Sequence, residues 1–276
     1  MTDQQSQDER ARRLRSLHDG GALVLPNAWD AASAALVGAA GARALATTSG
    51  GIAWSLGRPD GQRLTRQEMA DAVRRITAVV DIPVTADMEG GYGPEPEDVA
   101  ATVEATLDAG AVGFNLEDSQ PNGQLFDVAA QSERIRAARR AATACGVPHF
   151  VINARTDVFL AQVGEPGGRL DEVRNRARAY AEAGADCLFV PGLLDLAGLQ
   201  ALTKEVPGAV NAMAVPGGPS IAELAAAGVR RISVGTTLAQ VAYGAAQRAA
   251  AEILASGTFG ACAGSLGYPD VNSLFE

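Results

Sequence analysis

The chain has 276 residues, of which 47% are hydrophobic and 20% charged, the balance of a folded protein with a large core, which excludes a disordered or fibrous chain. Its formal net charge of -9 excludes a general affinity for nucleic acid or anionic lipid, because a broad acidic surface repels phosphates. An anionic ligand must therefore be captured locally.

The first twenty residues, MTDQQSQDERARRLRSLHDG, are polar and charged, and no later stretch approaches an uninterrupted membrane span, so the chain reads as cytoplasmic. From there, short apolar or β-branched runs ending in Gly, Pro, Asn or Asp recur at 22–27, 44–49, 83–88, 113–118, 150–156, 187–192, 209–214 and 231–235. Between them lie Ala, Arg and Glu-rich stretches with helical spacing at 67–80, 96–109, 131–144, 171–183 and 220–227. Thr65 with Glu68 and Ser220 with Glu223 fit capping boxes, and Ala-Gly at 109–110, 183–184 and 227–228 supplies a glycine to end each helix. Eight βα units predict a parallel sheet with right-handed crossovers, closed as a single (β/α)8 TIM barrel; a doubly wound open sheet is the alternative. No composition shift marks a linker, so residues 1–276 form one domain. The barrel spans about 20–245, and an Ala-rich helix from about 237 leads into a C-terminal helix and tail at about 246–276.

Cys145, Cys187 and Cys262 lack C-x-x-C spacing and read as packing residues, and His18 and His149 are the only histidines. Zinc and non-haem iron chemistry are thereby disfavoured, and a bound metal would be held by oxygen.

In a parallel barrel the active site lies at the C-terminal ends of the strands. Asp87 and Glu89, two apart, would project to the same side of an extended strand while Met88 points away, and Glu117 ends the neighbouring strand. Such a cluster repels itself unless neutralised, and Mg2+, with Mn2+ as its substitute, is the expected guest. Surface loop acids are the bland alternative. Arg155 lies in the apolar run FVINART, either as a clamp on a substrate carboxylate or enolate, or as a buried salt bridge to Asp157 or Glu117. Ser49-Gly50-Gly51 reads as an anion-binding nest or an ordinary turn, Tyr92 as a proton donor or a rim residue, and His149 as structural.

These pieces resemble the isocitrate lyase/phosphoenolpyruvate mutase family over roughly 20–245. The resemblance rests on T-S-G-G at 48–51, L-G-R-P-D at 56–60, A-D-M-E-G-G-Y-G at 86–93, L-E-D at 116–118 and A-R-T-D at 154–157. It implies that Asp87 binds Mg2+ directly while Asp60, Glu89 and Glu117 hold its waters. Ser49, Gly50 and Gly51 would then bind a substrate carboxylate, Arg155 would contact the anionic end and Asn211 would line the pocket. It also implies a homodimer or homotetramer that exchanges its C-terminal helix.

Two departures bear on the reaction. Lyases that cleave isocitrate or methylisocitrate carry K-[KR]-C-G-H after strand four, whereas this chain reads Ser119-Gln-Pro-Asn-Gly-Gln-Leu-Phe-Asp127; the mutase lysine is also absent, with Asn122 a loose match. The expected activity is a Mg2+-dependent carbon–carbon lyase that cleaves or decarboxylates a small 2-oxo or 2-hydroxy dicarboxylate, oxaloacetate-like or alkylmalate-like. Arg155 would hold the enolate, and Tyr92 or solvent would handle the proton. The alternatives are P–C mutase or hydrolase chemistry on a phosphonopyruvate, and a barrel that binds carboxylates without turnover.

Overall fold

In the computed structural model, which describes residues 2–193 and 195–276, the strands are β1 (Leu23–Leu25), β2 (Asn27–Ala28), β3 (Leu45–Thr47), β4 (Val84–Asp87), β5 (Gly113–Glu117), β6 (Val151–Arg155), β7 (Cys187–Phe189), β8 (Ala209–Met213) and β9 (Arg231–Ser233). All pair in parallel in the order β1-β9-β8-β7-β6-β5-β4-β3-β2. The two ends of that order are successive pieces of one stave. Pro26, which has no N–H to give, separates β1, paired with β9 (Leu23 opposite Arg231), from β2, paired with β3 (Asn27 opposite Ala46). Counted as staves, the sheet is a barrel of eight, one for each predicted run.

The helices follow in alternation: α1 (Thr2–Ser16), α2 (Ala31–Ala39), α3 (Ser49–Ser55), α4 (Arg66–Thr77), α5 (Pro96–Asp108), α6 (Val128–Ala144), α7 (Arg169–Glu182), α8 (Leu196–Glu205), α9 (Ile221–Ala226), α10 (Thr237–Ser256) and α11 (Tyr268–Asn272). The capping boxes form at Thr65 with Glu68 and at Ser220 with Glu223. At the return from α5 to β5, Gly110 takes φ +88°, and a Cβ there would stand 2.9 Å from Thr77 Oγ1, so neither the conformation nor the space admits a side chain.

Strand residues alternate between two environments. Val84, Ala86, Phe114, Leu116, Ile152, Ala154, Leu188, Val210, Ala212 and Ile232 are buried in the layer under the helices. Their neighbours Asp87, Asn115, Arg155, Phe189, Asn211, Met213, Arg231 and Ser233 line a cavity at the barrel's centre. The barrel is thus apolar outside its staves and largely polar within.

The polar N-terminus also folds. α1 buries Ala11 and Leu14, with Leu17 buried in the turn after it, gives a hydrogen bond from Gln7 Nε2 to Leu107 O (2.6 Å), and joins Asp8 to His149 and Arg15 to Asp186. His149 and Asp186 directly precede β6 and β7, so α1 lies across the N-terminal end of the barrel, opposite the strand ends that carry the acids. No helix among the described residues is long and apolar enough to cross a membrane.

Candidate active site

The central cavity, about 180 Å3 in volume, is lined by Ser49, Asp60, Asp87, Arg155 and Asn211 among the residues singled out from sequence. Asp87 is the last residue of β4. Its N–H donates to Thr47 Oγ1 (2.8 Å), its Oδ2 accepts the Ser49 N–H (3.1 Å), and its Oδ1 is buried with no partner. A bare buried carboxylate oxygen is costly unless a cation or proton meets it.

Glu89 arrives differently from the simple strand alternation. β4 stops at Asp87, Met88 turns into the core, and Glu89 sits at φ +51°, with Tyr92 at φ +60° and Gln62 at φ +56°. These left-handed positions are unfavourable for residues other than glycine, and they cluster where the chain turns through Gly90 and Gly91. The turn is held by the Gln62 N–H donating to Glu89 Oε1 (2.5 Å), the Tyr92 hydroxyl donating to Glu89 Oε2 (3.0 Å), and Arg134 donating to the carbonyls of Gly90 and Gly93. Burial, with repulsion from Asp87, pushes Glu89 up to about 7 despite the Gln62 N–H. Burial and the adjacent Glu89 hold the Tyr92 phenol far above its ordinary value, so it stays protonated.

Glu117 and Arg155 end β5 and β6 in register, and Arg155 Nη1 donates to Glu117 Oε1 (2.5 Å). Arg155 also forks onto Asp157, with Nε to Oδ1 (2.6 Å) and Nη2 to Oδ2 (3.0 Å). Both salt bridges weighed from sequence are therefore present, on a guanidinium that still lines the cavity. Burial, and repulsion from Asp87, Asp157 and Glu89, raise Glu117 against the pull of Arg155; the carboxylates in turn hold Arg155 above its usual range against burial.

Ser49-Gly50-Gly51 forms the first turn of α3 rather than a free turn. A Cβ on Gly50 would come within 2.9 Å of Asp60 Oδ2 and Thr236 Cγ2, and one on Gly51 within 2.8 Å of Trp29 Cβ and Thr48 Cγ2. The glycines bring that backbone, and Asp60, against the cavity wall.

The three strand-end acids share one electrostatic neighbourhood but do not form a chelate. Among the described residues no three His, Cys, Asp or Glu side chains converge as a metal-binding group. The physical reason is that Glu89 and Glu117 are committed to protein donors, while Asp87 Oδ1 alone is bare. An all-oxygen set with one free carboxylate oxygen fits a hard cation that keeps most of its waters.

Sequence reasoning passed over the layer beneath. Asp118, 0% exposed, accepts from the Asp157 N–H (3.0 Å), the Tyr180 hydroxyl (2.8 Å) and Arg176 Nη1 (2.9 Å), and so fixes the strand end that aims Arg155. Ser119 donates to Asp157 Oδ2 (2.9 Å) and lies 3.1 Å from Glu117 Oε2, while the loop beyond it closes through a Ser119–Leu125 bridge, with Asn122 exposed at its tip.

Comparison with known proteins decides the family. The profile described as Phosphoenolpyruvate phosphomutase matches residues 14–254. The chain belongs to the phosphoenolpyruvate mutase/isocitrate lyase family. An uncharacterised Mycobacterium tuberculosis protein is 38% identical over 235 residues, 85% of this chain and 84% of that one. The 2-methylisocitrate lyase of Escherichia coli K12 is 38% identical over 184 residues, 63% of this chain and 59% of that enzyme. Among family structures, oxaloacetate acetylhydrolase in complex with oxalate superposes with TM-score 0.86 at 27% identity, covering 97% of this chain and 94% of that one. The 2,3-dimethylmalate lyase structure gives TM-score 0.84 at 28% identity over 96% and 94%.

Proposed function

We propose that this family member is a Mg2+-dependent lyase that cleaves or decarboxylates a small 2-oxo or 2-hydroxy dicarboxylate of the oxaloacetate or alkylmalate kind. The observation that carries the reading is the bare, buried Asp87 Oδ1 at the wall of the central cavity, beside the Ser49 turn. The relatives named for oxaloacetate and dimethylmalate share the fold along nearly the whole chain, and the 119–127 loop lacks the lyase cysteine.

In this reading Asp87 holds the ion directly, and Asp60, Glu89 and Glu117 hold it through water. When bound, Mg2+ supplies a Lewis acid that favours negative charge on the substrate oxygens. Ser49, Gly50 and Gly51 receive a carboxylate, and Asn211 lines the pocket. Arg155, fixed by Glu117 and Asp157, presents a rigid positive charge to the enolate that develops as the adjacent bond breaks. The proton reaches the product carbon from solvent or from Tyr92, whose hydroxyl is now donated to Glu89.

Oligomerisation by exchange of the C-terminal helix belongs to the same proposal. α10 buries only Ala239 among its residues and exposes Val241 and Leu254, while an apolar groove of about 570 Å3 runs outside the barrel along Leu23, Val24, Pro26, Val37 and Leu238.

The test is turnover of oxaloacetate and alkylmalates by the purified protein with Mg2+, alongside Asp87→Ala. The expected result is pyruvate or carboxylate release by the wild type and loss of both turnover and calorimetric Mg2+ binding in the variant. Silence across the substrates, or unchanged behaviour of Asp87→Ala, refutes the reading. Conversion of phosphonopyruvate seen by phosphorus NMR would move the protein to P–C chemistry.

A further inference from the structure

Burying a guanidinium is costly unless its donors are taken up, and this protein surrounds most of its buried arginines with acceptors. Arg155 is ion-paired on both sides, and Arg176 meets Asp118, Glu172, Tyr180 and Phe126 O. Arg134 gives hydrogen bonds to Gln131 Oε1 and to three backbone carbonyls. Arg231, on β9, is different. It is 1% exposed, its Nε and Nη1 have no partner, and its Nη2 makes a long contact of 3.4 Å with Thr85 Oγ1. The Cys187 thiol is within hydrogen-bond reach of the guanidinium but is a weak, neutral partner and no counter-ion, because burial pushes it up to about 12. Asp186, whose charge reaches Arg231, is already held by Arg15, Arg139 and the Ile152 N–H.

The position of this unmatched cation is informative. Arg231 lines the same central cavity as Ser49 and Asp87. Thr85 lies two residues before Asp87 on β4, so the guanidinium crosses the barrel one layer beneath the acid. Two amides share that floor. Asn115 Oδ1 accepts from Asn153 (2.7 Å) and Asn211 Oδ1 faces Ser233 Oγ (3.4 Å), which leaves the NH2 group of each as a donor toward the cavity. The cavity is therefore polarised, with carboxylates at its mouth and N–H donors at its base.

We propose that Arg231, with Asn115 and Asn211, forms a floor subsite that receives one carboxylate of a small dicarboxylate, the other lying at the Ser49–Gly51 turn. The inference rests on the lyase reading and sharpens it. Arg155, ion-paired with Glu117 and Asp157, supplies a fixed charge whose donors are largely engaged, whereas Arg231 supplies the free donors that distinguish a diacid from a monoacid.

The experiment compares wild type with Arg231→Met, a neutral side chain of similar length, by calorimetry with malonate and with pyruvate in the presence of Mg2+, and by thermal unfolding without ligand. Malonate should bind the wild type, and its affinity should fall by about tenfold or more in Arg231→Met, as expected for loss of charge-assisted hydrogen bonds. Pyruvate affinity should stay close to wild type, and the unliganded variant should unfold at the same or a higher temperature, because an unmatched buried charge has been removed. Arg231→Lys, which keeps the charge without the fork, should recover part of the malonate affinity. Unchanged malonate binding in Arg231→Met overturns the subsite and leaves the lyase reading standing. Equal loss of both ligands together with a lower unfolding temperature also overturns it, since that is the mark of a structural arginine. A wild type that binds neither ligand overturns both the subsite and the lyase reading.

Discussion

The layer that supports the strand-end arginine gives a sharp test in Arg176→Met. The substitution keeps the aliphatic stem and deletes the fork that reaches Asp118 Oδ2, Phe126 O, Tyr180 and Glu172. Asp118, 0% exposed, keeps neutral donors in the Tyr180 hydroxyl, the Asp157 N–H and the Thr156 hydroxyl. Removing one partner of a buried pair typically costs about 3–5 kcal/mol, and the lower end applies because neutral donors remain. A loss of about 3 kcal/mol corresponds to a fall in unfolding temperature of about 6–12 °C for a domain of this size. Burial already raises Asp118 above the ordinary carboxylate range, and losing Arg176 raises it further. A raised folded-state value favours the protonated native form, so the penalty is full at neutral pH and shrinks as pH falls. Urea unfolding at pH 8 and pH 5, followed by circular dichroism, measures both. The double variant Arg176→Met/Asp118→Asn removes the stranded charge and should regain about half of the loss. A single-variant loss below about 1 kcal/mol, or strict additivity in the double, refutes the reasoning.

His18 is 8% exposed, and burial, aided by the charge of Arg231, lowers it to about 4 from its ordinary 6.5. The unfolded chain therefore binds this proton more readily than the native one, and stability should fall between pH 6.5 and 4 by up to about 3 kcal/mol on this account. In His18→Asn that part of the acid loss should vanish in urea titrations; an identical pH profile shows that His18 does not govern it. For the exchanged helix, Leu254, 87% exposed on α10, is expected to lie in a subunit contact. Leu254→Glu should leave the circular dichroism spectrum intact and weaken the oligomer in sedimentation equilibrium, whereas a monomeric wild type refutes the exchange.

The eight staves were legible because each run is short, apolar and closed by a polar or glycine-rich phrase, and the Ala-Gly returns set their spacing. α1 was not, because Ala11, Leu14 and Leu17 are diluted by arginines, and the surface they cover is the bottom of a barrel made by distant segments. α3 was hidden by Ser49-Gly50-Gly51, poor helix formers whose helix is supported by burial against Trp29 and Thr236. At the site, alternation placed Asp87 well and Glu89 by the wrong route, since a period of two holds only while the strand lasts and β4 ends at Asp87.

The buried arginines show where sequence logic stopped short of its own rule. Arg155 drew notice because a guanidinium within an apolar strand needs a partner. Arg231, in the run GVRRISVG, meets the same condition. Strand periodicity separates it from Arg230: Arg230 faces the N-terminal pocket with Asp19 and Asp186, and Arg231 enters the barrel. Applied evenly, the rule gives one arginine answered by the protein's own carboxylates and one left for a ligand to answer. That asymmetry links the polar interior of this barrel to a choice of substrate, because a cavity with the glycine-rich Ser49 turn on its wall and free donors at its base favours a molecule that is anionic at both ends.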